Sequence, residues 1–224
     1  MSNSKAAPRR FVVLISGRGS NMRQIITQAR SGNWPARFVR VVSNEPDASG
    51  LQWAESQGLP TSAVSHRDFA SREAFDAHLG DIIEQEAPDY VLLAGFMRIL
   101  TPAFVARFKN RLINIHPSLL PAFAGLKTHE RAIQAGVGWH GCTVHMVTDE
   151  LDHGPIIAQA ALAVQPEDTV ESLTQRVLQA EHQLYPQVVQ WLAHGQVQVS
   201  EAGEIKLSGI SQRHLWIKHE RPTV

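Results

Sequence analysis

"RRFVVLISGRGSNMRQIITQARSG", Arg9 to Gly32, decides the architecture. Its first part, Arg9 to Ser16, is a continuous apolar run, as expected of a strand buried on both faces. The glycine-rich "GRGSN", Gly17 to Asn21, ends that run. A helical period follows in Met22, Ile25, Ile26 and Ala29, closed by Ser31 and Gly32. The turn between them admits two readings. Gly17 and Gly19 permit φ > 0 and close backbone approach, so N–H groups at the helix start are free to cradle a phosphate monoester. The plainer alternative is a tight strand-to-helix turn with an ordinary cap. A dinucleotide fingerprint is incomplete, because Met22 stands where its third glycine belongs.

The alternation continues outward. "ARFVRVVSN" reads as a second strand, "DASGLQWAESQG" as a short helix ending at Gly58, and "PTSAV" as a third strand. "SREAFDAHLGDIIEQEA" is an amphipathic helix with Phe75, Leu79, Ile82 and Ile83 on one side, and "DYVLLAGF" is a buried strand. "TPAFVARF" opens with Thr101 as cap and Pro102 at the first helical position. A strand at "RLINIH", a short helix at "THERAIQAG" and two more alternating strands, "HGCTVHMV" and "PIIAQAALAV", come next. The long helix after Asp168 has its apolar stripe at Val170, Leu173, Val177, Ala180, Leu184 and Val188, with a kink expected at Pro186. "QVQVS" and "EIKLS" suggest a small hairpin in a weakly patterned tail. The sum is a Rossmann-like α/β fold: an open, mostly parallel twisted sheet with helices on both faces and antiparallel strands toward the C-terminal half. One domain is expected, with sub-lobes at about 9–110 and 111–195 and a tail at 196–224.

Bulk composition narrows the function. Hydrophobic residues make up 43 % and charged residues 19 %, enough apolar material for a sizeable core. Lys+Arg and Asp+Glu balance at 21 each, so a nucleic-acid binder working through its overall field is disfavoured. Any anionic ligand must be held by local geometry. The single cysteine, Cys142, excludes an intrachain disulfide and reads as a small core residue. No stretch approaches the roughly 20 apolar residues needed to cross a bilayer. "FVVLIS" is too brief for a signal-peptide core, which leaves a cytoplasmic protein as the expectation.

Two polar groups interrupt the strand at "RLINIHP". Strand side chains alternate, so Asn114 and His116 share a face, at the C-terminal end of a strand where open α/β sheets bind ligands. Buried without partners, each would cost about 1–3 kcal/mol. A satisfied structural histidine is the bland reading, and catalysis is the alternative. Downstream, "TDELDHGPI" sets Asp149 and Asp152 in a turn before a buried strand. Either it is simply a turn, or one acid orients His116 and takes up a proton. A metal is disfavoured despite 11 histidines: no HExxH occurs, and His140 and His145, five apart on one strand, face opposite sides. A covalent serine mechanism is disfavoured because Gly-x-Ser-x-Gly is absent.

Taken in order, "VVLISGRGSN", "APDYVLLAGFMRIL", "INIHPSLLPAFAGLKTH", "VTDELDHGPI" and "QAEHQLYP" resemble the phosphoribosylglycinamide formyltransferase family, folate-dependent enzymes of purine synthesis. The resemblance implies that Asn114, His116 and Asp152 are catalytic. Gly19, Ser20 and Asn21 would hold the substrate's phosphate and Glu181 its ribose hydroxyls. The co-substrate 10-formyltetrahydrofolate would lie along Met97, Arg98 and Leu100, near Asn114, with Arg72 toward the formyl or glutamate end and Val147, Asp149 and Asp152 over the pterin. Partners would be those two small molecules, with no metal, nucleic acid or membrane, and the chain would be a monomer or homodimer. A formyltetrahydrofolate hydrolase is the nearest rival, expected to carry an extra N-terminal domain. A non-catalytic phosphate-binding module is the other. Arg18 beside the phosphate loop and His153, where a small residue is expected, are left without a role.

Overall fold

The structure, a computed structural model, describes residues 7–200 and 203–217. The polar opening of "MSNSKAAPRR" and the last part of the tail lie outside the described residues. Five parallel strands form one half of the sheet: β1 (Arg9–Ile15), β2 (Ala36–Ser43), β3 (Thr61–Ala63), β4 (Tyr90–Leu93) and β5 (Leu112–His116). β6 (Trp139–Met146) and β7 (Ile156–Ala163) then add antiparallel to β5 and to each other. β8 (Val197–Val199) and β9 (Ile205–Leu207) make a separate antiparallel hairpin, and β10 (His214–Trp216) pairs parallel to β7. The large sheet has the order β10-β7-β6-β5-β4-β1-β2-β3.

That order explains where a site can form. The chain winds outward from β1 to β3, then returns to start β4 on the other flank of β1. The C-terminal ends of β1 and β4 therefore splay their loops apart, which opens a crevice. The two loops stay fastened: Ser16 N–H donates to the Gly95 carbonyl at 3.2 Å, and the Met97 N–H donates to Ser16 Oγ at 2.8 Å.

Each buried strand feeds two cores by alternation. Phe11, Val13 and Ile15 of β1 face α1 (Ser20–Ser31), α2 (Ser49–Ser56) and α6 (Val170–Ala193). Val12 and Leu14 face the opposite layer of α3 (Arg72–Gln85) and α4 (Pro102–Arg107), with Phe75, Leu79, Ile83, Phe104 and Phe108. Thr101 caps α4 as expected, its Oγ1 accepting from Phe104 N–H. α5 (Thr128–Gln134) packs against α6.

α6 runs unbroken through Pro186, from Val170 to Ala193. The carbonyl that Pro186 cannot serve is that of His182, and Gln28 Nε2 of α1 donates to it at 3.3 Å. Gly17 does not adopt a positive φ; only Gly19 does, at 64°. The tail is more than a hairpin, because β10 extends the main sheet. Its three residues are exposed or half-buried, so they carry no alternating pattern to be read.

Tyr185 pins α6 to the sheet. Its side chain is fully buried, and the hydroxyl donates toward the Ile113 carbonyl at 2.9 Å and the Leu93 carbonyl at 3.2 Å. Tyr185→Phe should therefore cost about 1–2 kcal/mol and lower the melting midpoint by several degrees with the fold intact, as read by calorimetry and circular dichroism.

Candidate active site

Asn114 and His116 do project to one face of β5, as the alternation requires, and register brings β6 to meet them. Asn114 lies opposite His145, and His116 opposite Thr143. His116 is buried; its Nδ1 is 3.4 Å from Asp152 Oδ2, and its Nε2 is 3.1 Å from the Phe123 carbonyl. Both ring nitrogens thus face acceptors, and a ring that donates to both at once carries a positive charge. Asp152 also accepts from Gly125 N–H at 2.8 Å.

His145 of β6 holds the Asn114 side chain. The sequence offers it only as a disfavoured metal ligand beside His140, because a cross-strand pairing is not visible locally. Its Nδ1 is 2.8 Å from the Met146 carbonyl, which assigns the proton to Nδ1 and leaves Nε2 as an acceptor. The amide of Asn114 donates to that Nε2 at 3.2 Å. Burial lowers the His145 pKa, partly offset by the Met146 carbonyl and Asp152, so the ring is kept neutral and its tautomer useful. The contact fixes which end of the Asn114 side chain is nitrogen and leaves its second N–H available. His140 has its Nε2 3.1 Å from His129 Nδ1 and its ring 5.9 Å from that of Phe123.

The "TDELDHGP" turn separates its two acids. Asp149 is exposed, whereas the Asp152 side chain is 8 % exposed. Asp152 takes a positive φ of 56°, a conformation aspartate tolerates better than most residues, and this turns its carboxylate back toward β5. Gly154 makes the turn possible: a Cβ there would sit 1.8 Å from the Met146 carbonyl oxygen. His153 faces solvent, with Nδ1 on the Leu151 carbonyl at 2.7 Å.

The glycine loop ends against α6. The first helical bond of α1 runs from Arg23 N–H to the Gly19 carbonyl, so the N–H groups of Ser20 and Asn21 have no partner within the helix. Asn21 is buried and its Nδ2 donates to Glu181 Oε2 at 2.7 Å, across 160 residues of chain. Its Oδ1 is buried without a partner among the described residues. Burial pushes the Glu181 carboxyl up to about 7, held back in part by the Asn21 amide. Arg18 and Ser20 line an open pocket beside this loop together with Arg23, Ser49 and Leu178.

The remaining named residues spread along the crevice. Leu100 is buried, Met97 is 78 % exposed, and Arg98 lies over the Phe75 ring at 4.8 Å. Arg98 Nε is buried without a partner among the described residues. Arg72 stands exposed one turn before Phe75 on α3. Val147 and Asp149 line a pocket of about 480 Å³ with Val105, Met146 and Thr148, residues the sequence did not single out. Among the described residues, no cluster of three His, Cys, Asp or Glu side chains is disposed to hold a metal, and no helix is long and apolar enough to cross a membrane.

Residues 9–189 match the formyl transferase family. A phosphoribosylglycinamide formyltransferase of Escherichia coli is 47 % identical over 191 residues, 85 % of this chain and 90 % of that protein. The trifunctional purine biosynthetic protein adenosine-3 of Bos taurus is 44 % identical over 196 residues, 88 % of this chain, and the chain spans only 19 % of that protein. A solved phosphoribosylglycinamide formyltransferase of Coxiella burnetii superposes with a TM-score of 0.86 at 43 % identity, covering 93 % of this chain and 99 % of that one. Similarity in sequence and in fold therefore runs along the same length.

Glu181 gives the ligand-free protein a pH dependence of defined sign. A folded carboxyl that titrates near 7 keeps its proton where the unfolded one, near 4.5, has lost it. Stability should fall as pH rises from about 4.5 to about 7, then level off. Glu181→Gln removes that fall: urea unfolding should show the variant about 3 kcal/mol more stable than wild type at pH 8, and equal to it below pH 4.5.

Proposed function

The chain belongs to the phosphoribosylglycinamide formyltransferases of the formyl transferase family, and we propose that it transfers the formyl group of 10-formyltetrahydrofolate to the amine of glycinamide ribonucleotide in the cytoplasm. The observation that carries the reading is the buried His116–Asp152 pair with the oriented Asn114 amide beside it, on the rim of a crevice that ends in a phosphate-sized loop.

The ribonucleotide binds with its phosphate on the N–H groups of Ser20 and Asn21 behind Gly19. Its ribose hydroxyls meet Glu181 and the free Oδ1 of Asn21. The folate runs along Met97, Arg98 and Leu100, with Arg72 toward its anionic end. Its pterin takes the pocket of Val105, Val147 and Asp149. This arrangement sets the substrate amine and the formyl carbon together at the end of β5.

Attack of the amine on the formyl carbon forms a C–N bond and a tetrahedral oxyanion. Asn114 donates its second N–H to that oxygen. His116, protonated between Asp152 and the Phe123 carbonyl, provides positive charge where the anion grows. Asp152 takes the proton leaving the amine, directly or through water, and passes it to the departing folate nitrogen as the old C–N bond breaks. Neither a covalent enzyme intermediate nor a metal enters these steps. Zero net charge is no obstacle, since the phosphate is met by backbone dipoles rather than by the overall field.

The test is steady-state release of deformylated folate, followed by its absorbance. Asn114→Ala should lower kcat about 10²- to 10³-fold, and His116→Ala and Asp152→Asn at least as much, with KM for the ribonucleotide nearly unchanged. Retention of wild-type kcat in any of the three would remove that residue from the mechanism.

A further inference from the structure

Between Phe123 and Leu126 the chain forms a strap across the site, and its backbone polar groups face both ways: the Ala124–Gly125 peptide presents its N–H inward and its carbonyl outward. On the inner side, the Phe123 carbonyl faces His116 Nε2 at 3.1 Å and Gly125 N–H donates to Asp152 at 2.8 Å. On the outer side, the carbonyls of Ala124 and Leu126 both point to one guanidinium. Arg131 Nη1 donates to Ala124 at 2.6 Å and toward Leu126 at 3.4 Å, and its Cζ lies 5.6 Å from the centre of the Phe123 ring. We infer that Arg131 is a positioning residue: it clamps the outer face of the strap so that the inner face holds His116 and Asp152 in register.

The strap needs an outer hold. Phe123 and Lys127, at its two ends, adopt positive φ values of 55° and 58°, which a bulky residue leaves unless its surroundings oppose it. Upstream the chain is tied to the sheet. Thr143 Oγ1 donates to the Ser118 carbonyl and accepts from Leu120 N–H, and Gln159 Nε2 donates to the Leu120 carbonyl. Beyond Ala122, whose carbonyl accepts from Ser118 Oγ at 2.6 Å, the inner ties are those to His116 and Asp152 themselves. Arg131 is exposed and is engaged in no ion pair among the described residues, so its guanidinium is committed to the strap. A planar fork suits this position, bonding two carbonyls while stacking on an aromatic ring; a lysine ammonium keeps only the charge and one donor geometry.

The role rests on the proposed formyl transfer for its kinetic consequence but not for its structural one, and the test uses both. In Arg131→Ala, kcat should fall about ten- to a hundred-fold while KM for glycinamide ribonucleotide stays within about two-fold, because the phosphate loop is untouched. Arg131→Lys should recover part of the loss. The ring ¹⁵N signals of His116, recorded without substrate, should move in the alanine variant and lie between the two in the lysine variant. Unchanged kcat in Arg131→Ala, or His116 ring signals identical to wild type, would overturn the assignment. So would equal losses in both variants that follow a lowered melting midpoint. If the wild type turned over no ribonucleotide, the functional reading would fall, while the ring signals would still decide the role of Arg131.

Discussion

A carboxylate buried as deeply as Asp152 is tolerable only if donors meet it, and the donors it finds come from two distant parts of the chain. His116 approaches from the end of β5 at 3.4 Å and Gly125 from the strap at 2.8 Å. Removing any partner from such a group exposes the desolvation cost of the charge. The site is therefore a point where distant segments are forced to agree. The glycine at 154, the positive φ at 152 and the register of β5 against β6 each follow from that agreement.

A second polar contact plays the same part at the far end of the crevice. Asn21 and Glu181 meet at 2.7 Å from α1 and α6, and both are nearly shut off from solvent. One amide hydrogen bond does not fully offset burial of the carboxyl, whose pKa rises to about 7. Next to it the Asn21 amide oxygen is buried with no partner among the described residues, so both groups are held at a cost to stability.

Much of this was legible in the order of residues. The continuous run at Arg9–Ser16 and the alternation elsewhere named nearly every element, because burial on two faces leaves a pattern that is local in sequence. The shared face of Asn114 and His116 followed from a period of two. What was not legible is non-local. The value of His145 depends on which residue of β5 it faces, and that pairing joins residues 31 apart in the chain. Nothing local distinguished Asp152 from Asp149 as the buried acid; the family resemblance did. β10 escaped because a half-exposed edge strand of three residues has no period to show. Arg131 escaped because an exposed arginine on a seven-residue helix looks like any solvated charge until its carbonyl partners are seen.

The central claim is that the formyl carbon passes to an amine held in this crevice and not to water. The most direct measurement is the fate of that carbon: 10-formyltetrahydrofolate labelled in the formyl group, incubated with the protein and glycinamide ribonucleotide, with the label then traced. All of the label lost from the folate should appear in the formylated ribonucleotide, and no folate should be consumed when the ribonucleotide is left out. Label recovered as formate, at a rate indifferent to the ribonucleotide, would contradict the account and make water the acceptor.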